Sequence, residues 1–251
     1  MIHVKKQLLP TLVLGLVLFG CSSKNDSKET TSTTQTTTAQ TTAGKTAEST
    51  SATSESKNTN STHSEEKKET TASNGMADTS LGYDIIVNKK HALPSNYSPG
   101  EDPTAAAQVK KLIRKMQELG YPISNTYSGY RSYDYQTQLY NNYVKQEGQA
   151  AADTYSARPG YSEHQTGLAF DLIDNSGELL DGSQNQQAIH WLHTHAHEYG
   201  FIIRFQPGKE AITGYQAEAW HLRYVGDKAT DIYNSGLSLE EYFGVPGGDY
   251  E

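Results

Sequence analysis

Residues 162–171 read SEHQTGLAFD, in which a histidine precedes a glycine turn and an aspartate lies within an apolar run. The run at 168–173 predicts a buried strand that follows a polar loop ending at Gly167. Asp171 is the exception in this strand, and a buried carboxylate is costly unless a cation or hydrogen-bond donors meet it. Because His164 can fold back across Gly167 towards Asp171, the stretch predicts part of a metal site.

A second stretch, EAWH at residues 218–221, supplies a carboxylate and another histidine on a further predicted strand. With His164 and Asp171, His221 gives two imidazoles and one carboxylate, which leaves the fourth position of a zinc ion open, as in catalytic zinc sites. Glu218 is then a base that does not bind the metal. Zinc lowers the pKa of its bound water to around 7, and an adjacent carboxylate can take the proton as that water attacks a carbonyl.

A third stretch, SGYRS at residues 128–132, places Arg131 at the end of a predicted strand. A guanidinium can hold a terminal carboxylate through two parallel hydrogen bonds. An exopeptidase needs such a clamp, because the free C-terminus distinguishes its substrate from an internal peptide bond. Arg131 is therefore a candidate anchor for the C-terminal carboxylate of a peptide.

A competing histidine cluster lies on a predicted helix at 184–199, which carries His190, His193, His195 and His197. His193 and His197 are four residues apart and share a helix face, a spacing that many metalloproteases use to bind zinc. Those enzymes have glutamate directly after the first histidine, whereas here that position is a threonine. We interpret this cluster as a solvated or partly packed helix face on which only an adventitious metal would bind.

The order of predicted elements favours an α+β fold. Predicted strands cover residues 83–88, 123–130, 168–173, 201–205 and 219–225, and predicted helices cover 103–119, 133–146, 184–199 and 228–242. Strands and helices do not alternate strictly, which argues against a parallel sheet with crossover helices. We expect a single small domain in which helices flank a central antiparallel sheet.

The N-terminal part of the chain has the features of an export signal and a tether. Residues 1–20 carry two lysines and then an apolar run of about 12 residues, short of the roughly 20 that a membrane-spanning helix needs, so a signal peptide is predicted. Cys21, the sole cysteine, directly follows and is a candidate for lipidation, which would anchor the chain at the outer face of the cell membrane. Residues 21–78 are rich in Ser and Thr and predict a disordered tether, which leaves 79–251 as the folded domain.

The charge of the chain limits its partners. The formal net charge is −8, which argues against nucleic acid as a partner. Nothing in the sequence indicates an oligomer, so a monomer is expected.

Three motifs together resemble those of a known family. The patterns S-x-H-x-x-G-x-A-x-D at 162–171, E-x-W-H at 218–221 and G-Y-R-S at 129–132 are similar to those of the VanY-type D-alanyl-D-alanine carboxypeptidases, and in particular to the streptococcal L,D-carboxypeptidases of the LdcB (DacB) type. The resemblance covers most of residues 81–243. It implies a small α+β domain with a central antiparallel sheet, in agreement with the predicted elements.

The resemblance also implies roles for individual residues. It implies one zinc ion on the two histidines and the aspartate named above, with Glu218 as catalytic acid/base and Arg131 as the anchor for the substrate carboxylate. Ser162 and Gln136 are implied to lie near the substrate.

The implied activity is removal of the C-terminal D-alanine from peptidoglycan stem peptides at the cell wall. L,D cleavage of tetrapeptides is favoured by the resemblance, with D,D cleavage of pentapeptides as the alternative. A homologue that binds cell-wall peptides without cutting them is a second alternative, although it would not need Glu218 and all three metal ligands. Endopeptidase action on cross-links is a third, and Arg131 argues against it because an internal bond has no free carboxylate.

Overall fold

The computed structural model describes residues 75–250. The predicted signal peptide at 1–20, Cys21 and nearly all of the predicted tether lie outside these residues. Residues just before Thr79 are part of the folded domain, because Met76 forms a β-bridge with Ala92 and Ala77 is buried. Among the described residues, no helix has both the length and the apolar character that crossing a membrane requires.

The fold is built around a four-stranded sheet in which all neighbouring strands are antiparallel. Its strands are β1 (Ile123–Ser128), β2 (Ala169–Asp174), β3 (Phe201–Phe205) and β4 (Glu218–Tyr224), in the order β1-β2-β4-β3. The predicted antiparallel sheet and α+β class are therefore confirmed. The two central strands, β2 and β4, pair so that Asp171 lies opposite His221.

Helices and short helical turns surround this sheet. The α-helices are α1 (Pro103–Glu118), α2 (Tyr133–Glu147), α3 (Gln149–Ala152), α4 (Gln186–His195), α5 (Glu210–Thr213), α6 (Ala229–Ser235) and α7 (Leu239–Phe243). The 3-10 turns are Gly82–Asp84, Glu163–Thr166, Ser183–Asn185, Ala196–Tyr199 and Gly226–Lys228.

Helix α1 supplies much of the hydrophobic core. It begins after Asp102, whose side chain accepts a hydrogen bond from the Ala105 amide at 2.8 Å, and Pro103 suits the first helical position. Its apolar side chains recur at helical spacing and pack with alternate residues of the central strands. The fully buried members of this core include Val109, Leu112, Met116, Phe170, Leu172 and Leu222.

Alternation along the central strands places polar side chains on the other face of the sheet. Phe170 and Leu172 enter the core, so Asp171 between them points away from it. In the same way, Leu222 enters the core while His221 and Arg223 do not belong to that cluster. The sheet thus presents functional side chains on the face opposite α1.

Three predicted elements differ from the structure. The predicted helix at 184–199 is the shorter helix α4 between two 3-10 turns. Residues 83–88 form a 3-10 turn and an irregular extended segment, because the Tyr83 and Ile85 carbonyls accept hydrogen bonds from the Arg223 guanidinium rather than from a neighbouring strand. The predicted helix at 228–242 is two helices. Gly236, in the left-handed conformation, ends α6, and a capping box formed by Ser238 and Glu241 starts α7.

Candidate active site

The three predicted metal ligands come together in one buried cluster, here called the ligand cluster: His164, Asp171 and His221. Their ligand atoms all lie within 4.8 Å of one another. His164 Nε2 is 3.2 Å from Asp171 Oδ2, and His221 Nδ1 is 3.1 Å from Asp171 Oδ1. Among residues 75–250, no other group of three or more His, Cys, Asp or Glu side chains has such an arrangement.

A tight turn brings His164 back onto β2. The 3-10 turn Glu163–Thr166 ends at Gly167, which has φ +75°. A Cβ at that position would lie 2.0 Å from the Gly100 carbonyl oxygen, so both the backbone conformation and the space require glycine. The glycine in the sequence motif is thus explained by the return of the chain to Asp171.

The ligand cluster contains buried polar atoms that make no hydrogen bond within the described part of the chain. These are His164 Nε2, Asp171 Oδ1 and His221 Nε2, the last of which faces Glu163. A buried polar group without a partner costs about 1–3 kcal/mol, so the arrangement of His164 Nε2 and Asp171 Oδ1 is unfavourable unless a cation lies between them. Two imidazole nitrogens and a carboxylate oxygen are a donor set that suits zinc, and the residues therefore fit the predicted metal.

The protonation of the two histidines also fits a cation site. Burial and the Arg131 charge lower the pKa of His164 to about 4, so its imidazole is neutral and able to bind a metal near pH 7. Burial by itself lowers the pKa of His221, but contacts with Asp171, Glu163 and Glu218 raise it well above its usual range. The surroundings of His221 thus favour a positive charge, which a bound metal ion can supply in place of the proton.

Each histidine ring faces an acceptor on its other nitrogen. His164 Nδ1 lies 2.7 Å from the Gly129 carbonyl oxygen, which can only accept and therefore leaves Nε2 free for a metal. His221 Nε2 lies 3.4 Å from Glu163 Oε2, on the opposite side of the ring from Asp171. Sequence reasoning did not identify Gly129 or Glu163, although both lie within the quoted motifs.

Glu218 lies beside the ligand cluster. Its Oε2 is 3.5 Å from His221 Nδ1, and its side chain is 9% exposed. Burial raises the pKa of Glu218 above its ordinary value, which brings it closer to the range that suits a proton-transfer group near neutral pH. The predicted base is therefore placed next to the predicted metal.

Glu218 and His221 lie on the same side of β4, in a segment where its pairing with β3 is irregular. Strict alternation would put residues three apart on opposite faces of β4. The pairing of β3 with β4 shifts between Ile203 and Phe205, so that Phe205 pairs with Glu218. Such irregularities re-aim side chains and occur often beside active sites.

Arg131 borders the ligand cluster but is partly engaged by it. One Nη donates a hydrogen bond to Asp171 Oδ2 at 2.7 Å, and the side chain is 17% exposed. The Arg131 Nε is buried and makes no hydrogen bond within residues 75–250. The Nε–H group of Arg131 is therefore a hydrogen-bond donor that a ligand could use. The ion pair between Arg131 and Asp171 was not predicted from the sequence.

The two remaining predicted substrate residues, Gln136 and Ser162, are both buried. Gln136 lies on α2, donates to the Ala157 carbonyl at 2.7 Å and leaves its Oε1 without a hydrogen bond among the described residues. Ser162 immediately precedes the 3-10 turn that carries His164, and its side chain does not cap that turn. Their roles towards a substrate stay predictions.

A neighbouring set of buried charges, here called the arginine cluster, was not predicted: Glu163, Arg204, Arg223 and Glu240. Arg204 donates to Glu163 at 2.7 Å and to both oxygens of Glu240 at 2.8 and 2.6 Å, and Arg223 donates to the same Glu163 oxygen at 2.8 Å. All four side chains are at most 2% exposed. The available signal was an arginine within each of two apolar strands, FIIRF at 201–205 and LRY at 222–224.

The competing histidine cluster is packed rather than assembled into a site. His193 Nε2 contacts the Ala219 carbonyl at 3.2 Å, the His195 ring stacks on Trp191, and the His197 ring stacks on Tyr233. Helix α4 ends at His195, and His197 lies in the 3-10 turn Ala196–Tyr199 that follows, so the two histidines are not four residues apart on one α-helix.

Comparison with known proteins agrees with this geometry. The family model described as "VanY: D-alanyl-D-alanine carboxypeptidase" matches residues 98–227. The chain is 39% identical over 180 residues to the putative carboxypeptidase YodJ of Bacillus subtilis (strain 168), covering 63% of this chain and 66% of that protein. It is 36% identical over 180 residues to a D-alanyl-D-alanine carboxypeptidase of Enterococcus faecalis, covering 63% and 64%. The chain thus spans just under two thirds of the length of these curated relatives.

Solved structures are similar over the described region. The LdcB LD-carboxypeptidase is 58% identical with a TM-score of 0.64, covering 66% of this chain and 88% of that one. The L,D-carboxypeptidase DacB of Streptococcus pneumoniae is 59% identical with a TM-score of 0.64, covering 66% and 89%. A vancomycin-resistance D,D-pentapeptidase VanY, solved with Zn(II), is 34% identical with a TM-score of 0.53, covering 64% and 98%. The motifs, the sheet and the matches over most of the described residues together show that the chain belongs to the VanY family of D-alanyl-D-alanine carboxypeptidases.

Proposed function

We propose that this chain is a zinc-dependent carboxypeptidase that removes the C-terminal D-alanine from peptidoglycan stem peptides. The observation that carries the proposal is the placement of the Glu218 carboxylate 3.5 Å from His221 in a buried cluster of two histidines and an aspartate. A module that only binds peptides has no use for such a base. The relatives described as carboxypeptidases support the same reaction class.

Different residues of the chain bind the metal, transfer the proton and bind the carboxylate of the substrate. His164, Asp171 and His221 would hold the zinc ion, which would supply Lewis-acid polarisation of the scissile carbonyl and would acidify the attacking water. Glu218 accepts the proton of that water on a carboxylate oxygen and returns it to the nitrogen of the leaving D-alanine. Arg131 donates a hydrogen bond to the terminal carboxylate of the substrate, which selects a free C-terminus.

For the substrate we favour the tetrapeptide, cleaved at its L,D bond. The support is the higher identity to the L,D-carboxypeptidases LdcB and DacB, 58% and 59%, than to the D,D-pentapeptidase VanY, 34%. Pentapeptide cleavage at the D,D bond is the alternative. Its support is the similarity to the D-alanyl-D-alanine carboxypeptidase of Enterococcus faecalis and to the D,D-pentapeptidase VanY.

The test is a mass-spectrometric digest in which muropeptides with tetrapeptide and pentapeptide stems are offered side by side, with and without a chelator. Metal-dependent loss of one alanine, faster from the tetrapeptide, is expected. Preferential loss from the pentapeptide would replace the L,D assignment with the D,D one. No loss from either stem by a zinc-loaded chain would contradict the carboxypeptidase.

We further propose that a lipid on Cys21 anchors the chain at the outer face of the cell membrane, with residues 21–78 reaching towards the cell wall. The support is the position of this sole cysteine, which Gly20 alone separates from the apolar run that ends at Phe19. In cell fractionation, Cys21→Ala is expected to move the protein from the membrane fraction into the medium, whereas the neighbouring Ser22→Ala is expected to leave it in place. Retention of the Cys21→Ala protein by membranes would contradict the anchor.

A further inference from the structure

Glu163 connects the two buried clusters. Its Oε1 accepts hydrogen bonds from Arg204 Nε at 2.7 Å and from Arg223 Nη1 at 2.8 Å. Its other oxygen, Oε2, makes no hydrogen bond within residues 75–250 and lies 3.4 Å from His221 Nε2, which also makes none. Two buried polar atoms that lack other partners therefore face each other across this gap.

The direction of this contact matters for metal binding. An imidazole ring that donates a proton from Nε2 carries its lone pair on Nδ1, and Nδ1 of His221 is the nitrogen that faces Asp171 at 3.1 Å. A carboxylate opposite Nε2 can only accept, so it selects this tautomer. A displacement of about 0.5 Å brings the pair to an ordinary N–H···O distance of about 2.9 Å.

The arginines fix which oxygen of Glu163 is available. Because both guanidinium groups take Oε1, the carboxylate cannot rotate to offer a different atom to His221 without breaking two charge-assisted hydrogen bonds. Arg204 is itself held by Glu240 through both oxygens of that carboxylate. Glu163 is thus held rigidly on the side of the ring away from the ligand cluster.

We propose that Glu163 is a positioning residue for zinc: held by Arg204 and Arg223, it fixes the tautomer and orientation of the ligand His221. This inference rests on the proposed function only in taking His221 as a metal ligand. Orienting partners of metal-binding histidines typically change metal affinity about 10- to 100-fold when they are lost.

The variant Glu163→Gln tests this role because the arginines determine how the amide lies. They hold the glutamine oxygen at the Oε1 position, so the NH₂ group faces His221 Nε2 as a donor. A donor there favours the tautomer that carries its proton on Nδ1, which cannot bind the metal through that nitrogen. The matched control is Glu240→Gln, which removes an equally buried charge from the same Arg204 but does not contact His221.

The experiment measures the zinc dissociation constant of the full-length chain by chelator competition, together with the melting temperature of each zinc-free variant. Glu163→Gln is expected to weaken zinc binding by about 10- to 100-fold, and Glu240→Gln by less than about tenfold, at a comparable loss of thermal stability. Equal weakening by both variants would show that Glu163 acts only through the stability of the cluster, and would overturn the proposal.

A second readout needs no variant and applies even if Glu163→Gln does not fold. In ¹⁵N-resolved NMR spectra of the zinc-loaded wild-type chain, His221 is expected to carry its proton on Nε2, protected from exchange. Protonation on Nδ1, or rapid exchange of the Nε2 proton, would overturn the proposal. If zinc affinities follow the predicted order but no stem peptide is cleaved, the positioning role stands and the proposed reaction fails.

Discussion

The ligand cluster and the arginine cluster are adjacent and both buried, but they differ in how their polar atoms are hydrogen-bonded. In the arginine cluster, Arg204 and Arg223 each donate to a carboxylate at 2.6–2.8 Å. In the ligand cluster, His164 Nε2 and Asp171 Oδ1 make no hydrogen bond with any described residue. Buried polar groups are normally paired. The arginine cluster, in which Glu163 Oε2 alone makes no hydrogen bond with a described residue, therefore indicates a structural role, whereas the ligand cluster indicates a binding site for a cation.

Metal removal should have the largest effect of the changes considered, and it should affect the ligand cluster but not the arginine cluster. A chelator should abolish hydrolysis of stem peptides, and added zinc should restore it, because the chemistry depends on a cation in the ligand cluster. Near-ultraviolet circular dichroism should change little, since the arginine cluster and the core do not depend on the metal. Full activity in the presence of excess chelator, with zinc shown to be absent, would contradict the account.

Glu218→Gln is expected to reduce turnover by about 100- to 10,000-fold, the usual contribution of a general acid–base group. Zinc binding should persist, because Glu218 is beside the ligands and is not one of them. Steady-state hydrolysis and zinc content are the measurements, with the exposed Glu210→Gln as a control that should keep normal activity. Near-normal turnover by Glu218→Gln would exclude it as the base.

Arg204→Met tests the arginine cluster by leaving Glu163 and Glu240 without their shared cation. Removing one partner of a buried ion pair typically costs about 3–5 kcal/mol of stability, which denaturant unfolding of the zinc-free chain can measure. Lys209→Met is the control, because Lys209 pairs with Glu241 at 2.7 Å where both side chains are partly exposed, and such pairs contribute about 0–1 kcal/mol. Similar losses in both variants would show that the arginine cluster contributes no more than a surface pair.

A smaller effect is expected in the pH dependence of stability. Burial alone raises the pKa of Glu240, but the Arg204 charge and the Asn88 amide hold it below the ordinary value of 4.5. The unfolded chain therefore takes up the proton first, so this stabilisation is complete above about pH 4.5 and is lost as the pH falls through the folded-state pKa. The melting temperature of zinc-free Glu240→Gln should fall less steeply between pH 5 and 3 than that of the wild type. An equal slope would show that Glu240 makes no contribution to acid unfolding.

The sequence predicted the ligand cluster because His164 and Asp171 are close together in the sequence and are joined by a glycine turn. The turn brings the histidine back onto the strand, where the buried Asp171 carboxylate needs a cation or a hydrogen-bond donor. The antiparallel sheet and helix α1 were also predictable, since the apolar spacing of α1 and its Asp102 cap are local signals.

What could not be predicted depends on contacts between distant segments. Glu218 lies beside His221 in a segment where β4 pairs irregularly with β3, whereas simple alternation would have separated the two side chains. Residues 83–88 have the composition of a strand. Two of their carbonyl groups instead accept hydrogen bonds from Arg223, which lies far away in the sequence. The arginine cluster likewise joins the turn at Glu163, two strands and α7, and no local pattern relates these positions.

The most direct test of the central claim is an anomalous diffraction map, recorded at the zinc edge, from crystals of the chain grown with zinc. The account predicts one strong peak at about 2.0–2.2 Å from His164 Nε2, an Asp171 carboxylate oxygen and His221 Nδ1. A peak at His193 or His197 with none in the ligand cluster would contradict it, as would a map without any peak at a zinc concentration that supports hydrolysis.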